Sequence, residues 1–95
     1  MKLYVDDRRP CPEGFVKCES AREAIALMSS YDFDTVSLDY DLGYGEDTGL
    51  DILIMMKGLG KQPKRILIHS SHPIGRERMF AFASENFPSS EIVKL

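Results

Sequence analysis

Three short apolar runs in this chain each stop on a chemically active side chain. Leu3-Tyr4-Val5 ends at Asp6-Asp7, Val36-Ser37-Leu38 at Asp39, and Ile66-Leu67-Ile68 at His69-Ser70. Runs of this length with no helical spacing read as strands buried on both faces, the kind used in parallel sheets. Between them lie helical patterns. Ser20-Ala21-Arg22-Glu23 is a capping-box signature, and Ala24, Ile25, Met28 and Tyr31 follow at helical spacing, which predicts a helix over 20–31. Thr48 with Asp51 three residues on opens a second helix that ends before Gly60. Pro73-Ile74-Gly75 opens a third, running to about Ser84 and stopped before Pro88.

Phe15–Cys18 reads as a weaker second strand and Ile92-Val93-Lys94 as a fifth. The resulting order, β-loop-β-α-β-α-β-α-β, predicts an α/β layer fold with a mostly parallel five-stranded sheet and three helices. The connection from Asp7 to Glu13 is short for a parallel crossover. In extended form those residues still span about 22 Å, enough to return beneath a short strand. Pro10 and Pro12 favour that geometry over a hairpin.

The 95 residues suit one domain, spanning 1–95. With 15 acidic against 12 basic residues the net charge is −3, which argues against bulk nucleic-acid binding. The longest apolar stretch, Ile52–Met56, is too short to span a membrane. Met1-Lys2-Leu3 meets Asp6-Asp7 too soon for a signal peptide, so the expected location is cytoplasmic. Cys11 and Cys18 fit no metal spacing and read as reduced thiols.

In open parallel sheets ligands bind beyond the carboxyl ends of the strands. Asp6, Asp7 and Asp39 reach that rim together, a set of hard oxygen donors suited to Mg²⁺ or Mn²⁺. Asp41, Glu46 and Asp47 read as solvent-facing loop acids. His69 is a candidate acid–base group, with His72 a weaker one. The start of the third helix, with Arg76 one turn in, offers a phosphate site, to which Arg8 and Arg9 bring charge from the first strand end.

In order along the chain, Asp6-Asp7, Asp39, Ser70 and Lys94 resemble the paired acid, phosphoacceptor, hydroxyl residue and lysine of two-component receiver domains. The chain departs from receivers where the Arg8–Gly14 loop replaces the first helix, where Leu95 replaces a proline, and in lacking the last helix. A nearer resemblance is to the cyclic-phosphate-processing receiver domains. It rests on Val5-Asp6-Asp7-Arg8-Arg9-Pro10, Ser37–Gly43, Thr48–Asp51 and His69–Arg76. Tyr40 and His72 stand where that family usually has a His and an Asn.

The resemblance implies a flavodoxin/receiver-like fold, three-layered or reduced to two layers by the missing first and last helices. It implies that Asp6, Asp7 and Asp39 bind the metal and that Asp39, His69 and Ser70 carry out the chemistry. Arg76, Lys94, Arg8 and Ser71 would hold phosphate. The expected ligand is a small cyclic phosphate of a nucleotide or RNA end, bound or hydrolysed. The alternatives are a module that signals through phosphorylated Asp39 and a non-enzymatic cyclic-nucleotide sponge. With helices expected on one face only, the other should expose an apolar patch and support a homodimer.

Overall fold

The computed structural model describes residues 1–95. The chain runs β1 (Lys2–Val5), β2 (Val16–Cys18), α1 (Ala21–Ser30), β3 (Thr35–Leu38), α2 (Gly49–Gly58), β4 (Arg65–Ile68), α3 (Pro73–Asn86) and β5 (Glu91–Lys94). The strands form one sheet in the order β2-β1-β3-β4-β5, with every neighbouring pair parallel. The β1–β2 pair is parallel too, so the short prolyl connection crosses over rather than folding back.

Capping chemistry sets the helix starts. The Ser20 hydroxyl accepts the Glu23 amide at 3.2 Å. The Glu23 carboxylate does not return to the Ser20 amide as the sequence pattern suggests; it accepts from the Ser20 hydroxyl instead. Thr48 and Asp51 form the full reciprocal box. His72 caps α3, its Nδ1 accepting the Gly75 amide at 2.9 Å. Tyr31 departs from expectation: it lies past the end of α1 as an exposed cap residue rather than on the buried stripe.

All three helices lie on one side of the sheet. Leu3, Val5, Val36, Leu38, Ile66 and Ile68 point toward them and join Ala24, Met28, Ile52, Leu53, Met56, Met79 and Ala83 in one core. The alternate strand positions face the helix-free side, as period-two alternation requires. There Tyr4, Thr35 and Ser37 are buried, while Leu67 and Val93 are half-buried. Lys2, Lys17, Arg65 and Glu91 are exposed, and Arg65 pairs with Glu91 at 3.0 Å. The face is therefore mixed, with a small apolar centre inside a charged border, rather than the broad apolar patch expected. No helix is long and apolar enough to cross a membrane.

Candidate metal and phosphate site

The sheet order decides the site. β1 lies beside β3, with Val5 in register with Leu38, so the residues that follow each strand emerge side by side. Asp6, Asp7 and Asp39 thus each bring a carboxylate oxygen within 4.8 Å of the others.

Asp6 is fully buried and its contacts are specific. Its Oδ1 accepts the Arg8 and Arg9 amides at 2.8 and 2.9 Å, which turns the chain sharply out of β1. Its Oδ2 accepts from His69 Nε2 at 3.0 Å. Burial alone would raise this carboxyl, but the Arg9 and Arg8 amides and His69 together hold it below the usual carboxylate value. It is therefore a carboxylate, with one lone pair of Oδ2 uncommitted to these partners.

His69 is held at both ring nitrogens. Nδ1 lies 2.7 Å from Ser37 Oγ, and the ring stacks on Tyr4 at 4.4 Å between centroids with 6° between planes. Burial lowers its proton affinity against the opposing pull of Asp6, so the ring is neutral. An ionised Asp6 accepts only, so Nε2 carries the proton and Nδ1 accepts from the Ser37 hydroxyl. The structure thus places the His69 ring behind Asp6, where it orients the carboxylate. Ser37 and Tyr4 complete this support, a role the sequence reading did not assign to either. Ser37 opens the Ser37–Gly43 stretch, and Tyr4 offers only a hydroxyl inside an apolar strand.

Asp39 behaves oppositely to Asp6. Burial and the negative charge of Asp6 raise its carboxyl, against the Ser70 hydroxyl and the Tyr40 amide. That amide donates to Oδ1 at 2.8 Å. Burial is the larger of the two causes, and the nearby Asp6 charge adds to it.

Beside the acids a cleft of about 460 Å³ is lined by Arg9, His69, Ser70, Ser71, Pro73, Arg76 and Leu95. Ser70 is buried, and its Oγ accepts the His72 amide at 3.0 Å. Arg76 reaches the Leu95 carbonyl through Nη2 at 2.9 Å, while its Nε is buried without a partner. Arg9 donates through Nη1 to the His69 carbonyl.

Two expected phosphate ligands lie elsewhere. Arg8 contributes its amide to Asp6 but its side chain is exposed, and Arg9, the next residue, lines the cleft. Lys94 shares the helix-facing side of β5 with Ile92, so it meets α3. Its Nζ pairs with Glu77 at 3.0 Å and sits 4.5 Å from the Phe80 ring centre. Asp41 accepts the Gly43 amide and stays exposed with Glu46 and Asp47, as the loop reading predicted.

Two glycines fit the rim together. A Cβ on Gly49 would stand 2.1 Å from the Asp39 carbonyl oxygen, and one on Gly75 would stand 2.3 Å from the Tyr40 ring. The two helix starts can therefore approach the Asp39-Tyr40 backbone only as glycines.

A parallel five-stranded sheet whose first and third strands present these acids at the carboxyl rim defines a receiver-like α/β domain. The family model for the cyclic-phosphate processing receiver domain matches residues 1–85, and the chain belongs to that family. Among solved structures it is similar to the response regulator protein TrrA from Thermotoga maritima, crystallised in complex with Mg(2+)-BeF. The TM-score is 0.69 at 19% identity, covering 99% of this chain and 84% of that one. No curated protein matches the sequence.

Proposed function

We propose that the domain binds a divalent cation, Mg²⁺ or Mn²⁺, at Asp6, Asp7 and Asp39 and hydrolyses a cyclic phosphate held in the adjacent cleft. The observation that carries the reading is the juxtaposition of the three-carboxylate cluster with a cleft bearing Arg9, Arg76 and the start of α3. The donor set fits the ion: three carboxylates, each bringing an oxygen within 4.8 Å of the others, supply hard oxygens. When bound, the ion supplies Lewis acidity to the phosphoryl group or to water.

The chain's own residues position the ligand. Arg76, whose Nε has no partner, and Arg9 neutralise the phosphate, and the Ser70 and Ser71 hydroxyls hydrogen-bond its oxygens. Hydrolysis adds a water oxygen to phosphorus and breaks one ring P–O bond, leaving a phosphomonoester. The water proton passes to solvent in the open cleft, and the departing oxygen takes a proton from the same source. His69 acts as a positioning residue that keeps Asp6 ionised and aimed.

A second reading makes Asp39 a phosphoacceptor, favoured by its place at the end of β3 beside Ser70. The engagement of Lys94 with Glu77 weighs against it. One screen separates the two. Incubation with 2′,3′- and 3′,5′-cyclic nucleotides, with and without Mg²⁺, should yield a metal-dependent monoester that Asp39→Asn abolishes. A stable phosphoryl adduct from a small phosphodonor, with no cyclic phosphate consumed, would overturn the hydrolytic reading. Binding without turnover would leave the domain as a sponge.

A further inference from the structure

Arg9 stands between the two halves of the site. Asp6 Oδ1 accepts the Arg8 and Arg9 amides, so both of its lone pairs are spent. Oδ2 accepts one hydrogen bond, from His69 Nε2, and keeps the lone pair that a cation needs. Arg9 is the charged base beside that oxygen, its Nε 3.9 Å from Oδ2. At that length the guanidinium is attracted without being hydrogen-bonded. Its one side-chain hydrogen bond runs from Nη1 to the His69 carbonyl, which leaves most of its donors free. The amide bond to Oδ1 anchors the Arg9 backbone whatever the side chain does. That side chain is 44% exposed, and Arg9 also lines the cleft with Ser70, Ser71 and Arg76.

The two arginines of the cleft are therefore held differently. Arg76 is tied to the Leu95 carbonyl and makes no ion pair with the acids. Arg9 has two places for its charge, on Asp6 and on a phosphate. A divalent cation at Oδ2 repels it, and a phosphate in the cleft attracts it. Both act in the same direction: each draws Arg9 off Asp6, and each thereby makes room for the other. A half-exposed ion pair is weak enough for either to break.

We propose that Arg9 is a shared counter-charge that couples the cation and phosphate sites, balancing Asp6 when no cation is bound and passing to the phosphate when one is. The inference rests on the reading above that the acids hold a divalent cation beside a phosphate cleft, and it does not depend on hydrolysis. Coupling of this kind is reciprocal, so each ligand tightens the other by the same factor.

The test is calorimetric titration of the full chain with Mg²⁺ alone, inorganic phosphate alone, and each in the presence of the other, corrected for magnesium phosphate formed in solution. In wild type, phosphate should raise Mg²⁺ affinity about 5-fold or more, and Mg²⁺ should raise phosphate affinity equally. Arg9→Ala and Arg9→Gln keep the amide that Asp6 binds, and both should weaken phosphate binding. Both should also bind Mg²⁺ alone about 2- to 5-fold more tightly, because the cation no longer displaces a half-exposed ion pair. The coupling should shrink correspondingly. Arg8→Ala removes a charge one residue away and should match wild type in every titration. Unchanged or weaker Mg²⁺ binding in both Arg9 variants, coupling equal to wild type, or the same behaviour in Arg8→Ala overturns the shared role while leaving the cation and phosphate reading standing. If wild type fails to bind either Mg²⁺ or phosphate, that reading falls and takes this inference with it.

Discussion

The Nε2 of His69 lies 3.0 Å from Oδ2 of Asp6, and the two side chains, from β-strand ends separated by β3, are both buried. They differ from an exposed ion pair in one respect: the carboxylate is charged but the imidazole is neutral. This arrangement has a consequence for acid stability. His69 titrates below its ordinary 6.5 in the fold, so the unfolded chain takes up the proton first and stability falls as pH drops below about that value. Asp6, also lowered, adds a second loss as pH falls below 3.8. Asp39 is raised and works the other way, gaining stability as it protonates. Urea midpoints measured without metal should therefore fall from pH 8 to pH 5, and more steeply in Asp39→Asn. A flat profile in both proteins would contradict a buried neutral His69.

Metal should stabilise the fold by relieving the repulsion at Asp39. At 100 times its dissociation constant a ligand adds about 2.7 kcal/mol. Millimolar Mg²⁺ should raise the melting temperature of wild type and leave Asp39→Asn unmoved. The gain should shrink as pH falls through the raised Asp39 value, because a protonated carboxyl competes with the cation. Chelator should reverse it. An unchanged melting curve with Mg²⁺ and Mn²⁺ would remove the metal from the site.

The glycines give a packing test. Gly49→Ala drives a methyl into the Asp39 carbonyl, a backbone atom that cannot move aside, and should cost at least the 1–3 kcal/mol typical of overpacking. Gly75→Ala meets the Tyr40 ring and should cost a comparable amount, reduced if that ring swings away. Gly58→Ala, with nothing within 4 Å, should instead be neutral or stabilise by about 0.4–1 kcal/mol. Chemical denaturation of the three variants checks the order.

The two thiols should differ in reactivity. Burial pushes the Cys18 thiol up to about 12, whereas Cys11 is only partly covered. At pH 8 an alkylating reagent should label Cys11 and reach Cys18 only on unfolding. Because the unfolded thiol ionises from about 9.0, stability should also decline as pH rises above that value. Equal labelling rates in the native protein would contradict the burial of Cys18.

Self-association is expected on the helix-free face, through the half-buried Leu67 and Val93. The exposed Lys2, Lys17, Arg65 and Glu91 around that centre border the apolar contact, so assembly should be salt-dependent. Sedimentation at micromolar concentration should approach twice the chain mass, and Leu67→Glu should return the monomer. A monomer at all concentrations would end this expectation.

Strand identity, helix starts and the acids at the rim were legible in the sequence because each is a local property. Apolar runs ended at Asp6, Asp39 and His69, Thr48 with Asp51 spelled a capping box, and the prolines of the Arg8–Gly14 loop spelled an extended crossover. The chemistry of such segments depends on their own residues and near neighbours. The receiver-like motifs were equally local, which is why the family could be read from short stretches.

Only the tertiary structure decided which side chains meet. Asp6 touches His69 because β1, β3 and β4 are neighbours in register, a pairing that no single segment encodes. Ser37 and Tyr4 entered the support of His69 because alternate strand positions point to the helix-free side. The same alternation turned Lys94 toward Glu77 and Phe80 instead of the cleft. Arg9 rather than Arg8 lines the cleft because Asp6 binds both amides and fixes the turn between them. Side-chain direction reverses with every residue along a strand and is reset at each turn, so a contact across the sheet is fixed only when register and turn are fixed.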